Sequence, residues 1–136
     1  MNAKRKLDFA EISAALKQIS LPAIDQVVGI ATGGIVPASL LAHQLARPLR
    51  LLQINYRAAD NAPRHPAPVL LSGVSLPLNG TILLVDDVSV SGQTLSLARE
   101  LLRGHDVITL VLKGQADYVL FPDIPECVHW PWQVEI

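Results

Sequence analysis

Cysteine is nearly missing from this chain. A single one, Cys127, in 136 residues excludes an internal disulfide and any cysteine-built zinc cluster. Aromatic side chains are scarce at 4%, and charged ones reach only 17%. Neither sign of charge prevails: 11 Lys and Arg face 12 Asp and Glu, for a net charge of −1. Without an electropositive field, a nucleic acid is a poor partner. No apolar run approaches the roughly 20 residues of a membrane-spanning helix. The segments Val27–Ile30 and Thr81–Val85 are strand-sized, so no membrane partner is expected. The basic start Lys4-Arg5-Lys6 is followed by Asp8 and Glu11 rather than a leader's apolar stretch, which points to a cytoplasmic protein. His43, His65, His105 and His129 are scattered, with no metal-ligand spacing. Aliphatic residues are what the chain does have. Half of it is apolar and mean hydropathy is +0.35, which excludes extended disorder. The length suits one domain, 1–136, with a single core.

The apolar residues come in two textures. Phe9, Ile12, Leu16 and Ile19 recur at helical spacing, Asp8 with Glu11 resembles a capping box, and Pro22 ends the helix. Val27–Ala31 is a short continuous run, as in a strand buried on both faces. Gly33-Gly34 interrupts it, and Pro37 stands in the first turn of a helix that continues over Ala38–Ala46. Leu49–Tyr56 reads as a second strand. Pro63, Pro66, Pro68 and Pro77 mark Arg57 to Gly80 as a long mobile loop with a hairpin-like return around Leu70–Leu78. Thr81–Val85 is the purest strand. A helix from about Gln93 to Arg103 follows, closed by Gly104, and then a strand over Val107–Leu112. Tyr118–Phe121 and Val128–Trp132 are strand-like pieces parted by Pro122 and Pro125. Strand and helix alternate, so the class is α/β with a mainly parallel sheet and right-handed crossovers.

The chemistry concentrates in TILLVDDVSVSGQTL, residues 81–95. A buried strand delivers Asp86 and Asp87, and a loop with Ser89, Ser91, Gly92 and Thr94 enters a helix. Ligands of open α/β sheets bind at the carboxyl ends of the strands. A helix N-terminus with free amides and small hydroxyls suits phosphate. Two carboxylates beside it suit sugar hydroxyls, or a divalent cation held through water. Taken singly, each piece is an ordinary strand end or helix cap; their ordered combination describes a phosphorylated-sugar site with magnesium. A Walker loop is excluded because no lysine follows the glycine, and a dinucleotide fingerprint because one glycine stands where three are needed.

The stretch from Leu84 to Thr94 resembles the phosphoribosyl-pyrophosphate (PRPP) signature of type I phosphoribosyltransferases, an apolar strand, two acidic residues and a loop closing in Thr-Gly-x-Thr. Three further segments agree in order. Residues 29–38, GIATGGIVPA, resemble the family's pyrophosphate loop. Asn55-Tyr56 lies where a Ser-Tyr pair opens its flexible loop. Lys113-Gly114, Asp117-Tyr118 and Pro131-Trp132 resemble the end of small xanthine-guanine-type purine phosphoribosyltransferases.

The resemblance implies a mainly parallel central sheet flanked by helices, with a mobile loop and a small C-terminal hood. It implies transfer of phosphoribosyl from PRPP to a nucleobase, a purine by this likeness, with Mg2+ as cofactor and a homodimer as the assembly. Asp86 and Asp87 are then the catalytic carboxylates, engaging the ribose hydroxyls and holding the metal through water. The backbone of Val90, Ser91, Gly92, Gln93 and Thr94, with the Ser91 and Thr94 hydroxyls, holds the 5′-phosphate. Thr32, Gly33 and Gly34 contact pyrophosphate. The loop from Asn55 and Tyr56 to about Ser72 closes over the reactants. Lys113 bonds the exocyclic oxygen of the base, and backbone near Val128 reads its edge. Trp130 and Trp132 are assigned to packing rather than to base stacking.

Three positions depart from the family's pattern. Val90 stands where 6-oxopurine enzymes carry an aspartate that assists proton removal. Thr32 stands where an arginine or lysine is common, and Cys127 where an aromatic residue stacks on the purine. Glu126 or Asp117 are the tail's candidate proton acceptors. The departures leave two functions open, a magnesium-dependent phosphoribosyltransferase and a non-catalytic module that binds PRPP or a nucleotide.

Overall fold

The computed structural model describes residues 5–55, 69–72 and 80–134. Eleven elements follow in order: β1 (Arg5–Lys6), α1 (Phe9–Gln18), β2 (Gln26–Ala31), α2 (Ile35–Leu45), β3 (Leu49–Asn55), β4 (Val69–Ser72), β5 (Thr81–Ser89), α3 (Gln93–Leu101), β6 (Asp106–Gly114), β7 (Tyr118–Val119) and β8 (Val128–His129). Six strands form one sheet in the order β4-β3-β2-β5-β6-β7. All its pairings are parallel except β3 with β4. The α/β sheet expected from the alternation of textures is present. None of the described helices is long and apolar enough to cross a membrane.

Strand periodicity explains why the apolar runs are continuous. Val27, Leu83, Val85, Leu110 and Leu112 point to one face, where they meet Ile12 and Leu16 of α1, Leu41 of α2, and Trp130. Val28, Ile30, Ile82, Leu84 and Val111 point to the other, where Leu95, Ala98 and Leu102 pack from and beyond α3. With helices on both faces, both sides of the central strands are mostly apolar, with Gln26 and Thr109 the buried polar exceptions before the strand ends. Gly29 sits where β2 and α2 come closest: a Cβ there would lie 2.7 Å from that of Ala38.

The helix ends follow local chemistry. The Asp8 carboxylate accepts from the Glu11 amide at 2.8 Å, the N-cap half of the expected box. Pro37 falls in the first turn of α2, as expected. Helix α3 stops at Leu101, short of the expected Arg103.

Three expected boundaries are corrected. Strand β5 runs on to Ser89 and β6 to Gly114, so both acidic residues lie inside a strand. The return after the proline-rich stretch begins at Val69, antiparallel to β3 with a register shift at Gln53/Ile54, so 69–72 belong to the sheet. The remainder of the expected loop, 56–68 and 73–79 with Tyr56, lies outside the described residues. Finally, Arg5-Lys6 pairs in parallel with Val128-His129, tying the start of the chain to the tail. Trp130 is buried beneath this pair and stacks on Trp132 at 5.6 Å, with Phe9 tilted against Trp132 at 6.2 Å. That assigns both tryptophans to packing of the hood.

Candidate functional site

The sheet order reverses between β2 and β5. Strand β2 leads on to β3 on one side, and β5 leads on to β6 on the other. The carboxyl ends of these two strands diverge into their loops and leave a crevice, the place where open α/β sheets take ligands. Strand β2 ends in Thr32-Gly33-Gly34 and β5 ends in Asp86-Asp87, so topology alone brings the two motifs together.

The contact between them is close. A Cβ on Gly33 would lie 2.5 Å from the carboxylate carbon of Asp87. A Cβ on Gly34 would lie 2.5 Å from the Val85 carbonyl oxygen and 2.7 Å from that of Ile30. Only glycines let this loop settle onto the end of β5. The loop is closed by the Gly34 amide donating to the Ile30 carbonyl at 2.7 Å and the Ile35 amide donating to Thr32 at 3.1 Å. The peptide between Ala31 and Thr32 is cis.

The two carboxylates differ. Asp86 is 8% exposed, and one of its oxygens accepts from the Asp87 amide at 2.8 Å. Burial, followed by the neighbouring Asp87 charge, pushes its pKa well above the ordinary carboxylate value. Asp87 is half-buried, and its Oδ1 accepts from the Val88 amide at 2.7 Å, which fixes the carboxylate toward the Gly33 loop. No group of three or more His, Cys, Asp or Glu among the described residues forms a metal cage. Two adjacent carboxylates of this kind fit a magnesium ion that keeps most of its water and shares phosphate oxygens.

Beyond β5 the chain turns through exposed Val90 and Ser91 to Gly92, whose φ of 79° is left-handed and starts α3. The Gln93 amide donates to Ser91 Oγ at 3.3 Å and the Ser96 amide to the Gly92 carbonyl at 2.9 Å. Between them, the amides of Thr94 and Leu95 lie in the first turn of α3, where a helix has no intrahelical carbonyl to offer its amides. A Cβ on Gly92 would meet nothing within 4 Å. This open helix start, with its dipole and first-turn donors, has the form of an anion cradle.

A cavity of about 360 Å³ adjoins the cradle. Val88, Ser89 and Val90 form one side, Lys113, Gly114 and Gln115 the second, and Phe121, Pro122 and Ile124 the third. The extended β5–β6 pairing builds it, because Val88 registers with Lys113 and Ser89 with Gly114. Gly114, at φ 117°, turns the chain so that the Gln115 amide donates to the Ser89 carbonyl at 3.0 Å. Lys113 Nζ donates to the Glu126 carbonyl at 2.6 Å, pinning the tail over the cavity.

Most of the residues singled out from sequence therefore share one edge of the sheet: Thr32, Gly33 and Gly34, Asp86 and Asp87, Val90 to Thr94, and Lys113. Asn55 ends β3 at the outer side of the same edge. Val128 pairs with Arg5 in β8 and does not line the cavity. Cys127 is exposed and does not line it either; the aromatic wall is Phe121. The apolar piece Tyr118–Phe121 was the available signal, since the Phe121 amide donates to Leu112 at 2.9 Å and so follows the edge of β6 to the cavity. Asp117 is occupied elsewhere. It accepts from the Thr109 amide at 2.9 Å and pairs with Arg99 at 2.8 Å, well back along the sheet.

Comparison with known proteins agrees with this geometry. A family model described as a phosphoribosyl transferase domain matches residues 5–135. An orotate phosphoribosyltransferase from Sulfurisphaera tokodaii is 32% identical over 104 residues, covering 74% of this chain and 49% of that protein. The chain thus spans about half the length of this curated relative. A purine phosphoribosyltransferase structure from Pyrococcus horikoshii superposes with a TM-score of 0.78 at 24% identity, over 98% of this chain and 95% of that one. A Neisseria gonorrhoeae protein with bound ppGpp superposes with a TM-score of 0.70 at 23% identity, over 98% and 92%. At these identities the two structures speak for the fold.

Proposed function

The chain belongs to the phosphoribosyltransferase family, and on that premise we propose that it transfers the phosphoribosyl group of PRPP to a purine base, releasing pyrophosphate. The observation that carries this reading is the meeting of Gly33 with the Asp87 carboxylate at the switch point of the sheet. A glycine loop, a pair of acids, an anion cradle and a cavity of about 360 Å³ then follow one another along a single edge.

Each part has a task in that reaction. The first-turn amides of Thr94 and Leu95 and the hydroxyls of Ser91 and Thr94 hold the 5′-phosphate. Asp86 and Asp87 fix the ribose hydroxyls. The Thr32–Gly34 backbone faces the departing pyrophosphate. When bound, magnesium neutralises phosphate charge. Lys113 and Phe121 orient the base, one through an oxygen and the other through its ring face. Catalysis of this kind is positioning together with stabilisation of the charge that leaves with pyrophosphate.

A second reading, a non-catalytic module that binds PRPP or a nucleotide, is favoured by Val90 at the cavity mouth, which offers no proton acceptor. The ppGpp held by the similar Neisseria protein is compatible with it. Incubation with PRPP, magnesium and a panel of hypoxanthine, guanine, xanthine, adenine, uracil and orotate separates the two. Nucleoside monophosphate from a purine supports transfer. Tight PRPP binding with no product from any base selects the second reading.

A further inference from the structure

The tail beside the cavity has little of its own to hold it. Pro125, Glu126 and Cys127 are exposed, and the nearest buried side chains are Ile124 before them and Trp130 after. Backbone hydrogen bonds fix the stretch instead. The Arg5 amide donates to the Cys127 carbonyl at 2.8 Å, and the Leu7 amide to the His129 carbonyl at 3.5 Å. Successive carbonyls of an extended chain point in opposite directions. With those of Cys127 and His129 turned to β1, that of Glu126 faces the other way, where Lys113 Nζ donates to it at 2.6 Å.

Strand β1 is itself firmly seated. Leu7, next in the chain, is buried, the Asp8 carboxylate caps α1, and Ile12 and Leu16 of that helix lie in the core. Arg5 and Lys6 are exposed, and Arg5 reaches the tail with its amide. A line of contacts thus runs from α1 through Leu7 and the Arg5 amide to Cys127, and across one peptide to the Glu126 carbonyl and Lys113. We propose that β1 is a positioning strap: by holding Cys127 it sets the Glu126 carbonyl, and with it the aim of the Lys113 ammonium at the cavity. That the cavity takes a base rests on the transfer reading above; the strap is testable without it.

A lysine needs such a holder. Its ammonium is a compact point charge on a flexible stem, with three donors and no planar fork to set their direction. One donor tied to a fixed carbonyl confines the nitrogen, and the others can face the cavity that Lys113 lines. Without that carbonyl the stem returns to many rotamers, and a ligand must order it on binding. Arg5 acts through Cys127 and Glu126 and touches no ligand, so its amide is a positioning group.

Arg5→Pro tests the strap, because proline removes the amide and is tolerated at the first residue of a strand. Arg5→Ala keeps the amide and changes only the side chain. Arg5 lies outside both buried clusters, so neither variant should shift the melting temperature much. With PRPP, magnesium and a purine, Arg5→Pro is expected to raise the KM for the base about fivefold or more and to leave that for PRPP unchanged. Arg5→Ala is expected to match the wild type. In a Lys113→Met background the proline should cost nothing further, since the strap acts through the lysine. A base KM unmoved by Arg5→Pro, an equal rise in Arg5→Ala, or an undiminished proline effect without Lys113 overturns the proposal. Acetic anhydride labelling read by mass spectrometry needs no turnover. Acylation of Lys113, relative to exposed Lys17, should rise severalfold in Arg5→Pro and stay unchanged in Arg5→Ala. If no base yields nucleotide, the transfer reading fails and the labelling alone decides: a rise confined to Arg5→Pro upholds the strap, and unchanged labelling rejects it.

Discussion

Gly33 lies against the carboxylate of Asp87 so closely that a Cβ on it would fall 2.5 Å from the Asp87 carboxylate carbon. The neighbouring Gly34 instead faces backbone, the carbonyls of Val85 and Ile30. The two glycines are therefore expected to fail differently. In Gly33→Ala the methyl group displaces a side chain, so PRPP-magnesium affinity falls about tenfold or more through the loss of charge-assisted contacts. Thermal stability changes little. In Gly34→Ala there is no side chain to move, and the overpacked backbone costs ~1–3 kcal/mol of stability. Calorimetric titration with PRPP alongside urea unfolding of both variants checks this. Normal PRPP affinity in Gly33→Ala would remove the loop from the site.

The two aspartates should also separate. Asp87→Asn is expected to weaken PRPP-magnesium binding about tenfold or more, by removing a charge that faces the loop. Asp86→Asn keeps the oxygen that accepts from the Asp87 amide but relieves a buried carboxylate. Because the folded-state pKa of Asp86 is raised, its ionisation opposes folding: stability is greatest below the unfolded value and is lost as pH rises toward the folded one. In metal-free buffer Asp86→Asn should therefore melt higher than the wild type at neutral pH, with the gain vanishing in acid. Melting curves at both pH values test the sign. An equal or lower melting temperature at neutral pH would contradict the burial of the charge.

The aromatic wall gives a third prediction. Phe121→Ala should raise the KM for the base about tenfold, within the range of one base–aromatic stack, and leave that for PRPP unchanged. Cys127→Ser should alter neither, because Cys127 is exposed and lies outside the cavity. Steady-state kinetics on the two variants decide between these positions for the stacking residue. An effect confined to Cys127→Ser would reverse the assignment.

The parts legible in the sequence are those whose chemistry is local. Val27–Ala31 and Thr81–Val85 announce buried strands because both of their faces are apolar, and 86–94 announces an anion site because acids, glycine and hydroxyls follow within one turn of chain. The contact of Gly33 with Asp87 was not legible, since the strand order creates it. The strand Arg5–Lys6 was missed because two charged residues carry no alternation, and its pairing depends on the distant Val128-His129. The ends of β5 and β6 were placed too early because polar Asp86, Asp87 and Lys113 break the apolar pattern while the ladder continues through them. Phe121 was passed over because Pro122 follows it and only its bond to Leu112 carries it to the cavity.

Asp117 supplies the last test, since it is an acid near the resembled motif but away from the site. It accepts from the Thr109 amide at 2.9 Å and the Thr109 hydroxyl at 3.1 Å, and it pairs with Arg99. The Thr109 amide, ahead of the other contacts, holds its carboxyl below the ordinary value. A depressed pKa contributes stability that is present above the unfolded value of 3.8 and is lost as pH falls through the folded one. Its side chain is 48% exposed, so screening limits the ion pair and the amide bond dominates. Asp117→Asn should therefore cost ~1 kcal/mol at neutral pH, a cost that shrinks in strong acid as the wild type protonates. It should leave kcat/KM for the base unaltered. Urea unfolding at both pH values with kinetics at neutral pH checks each part, and a kinetic loss without a stability loss would return Asp117 to the list of proton acceptors.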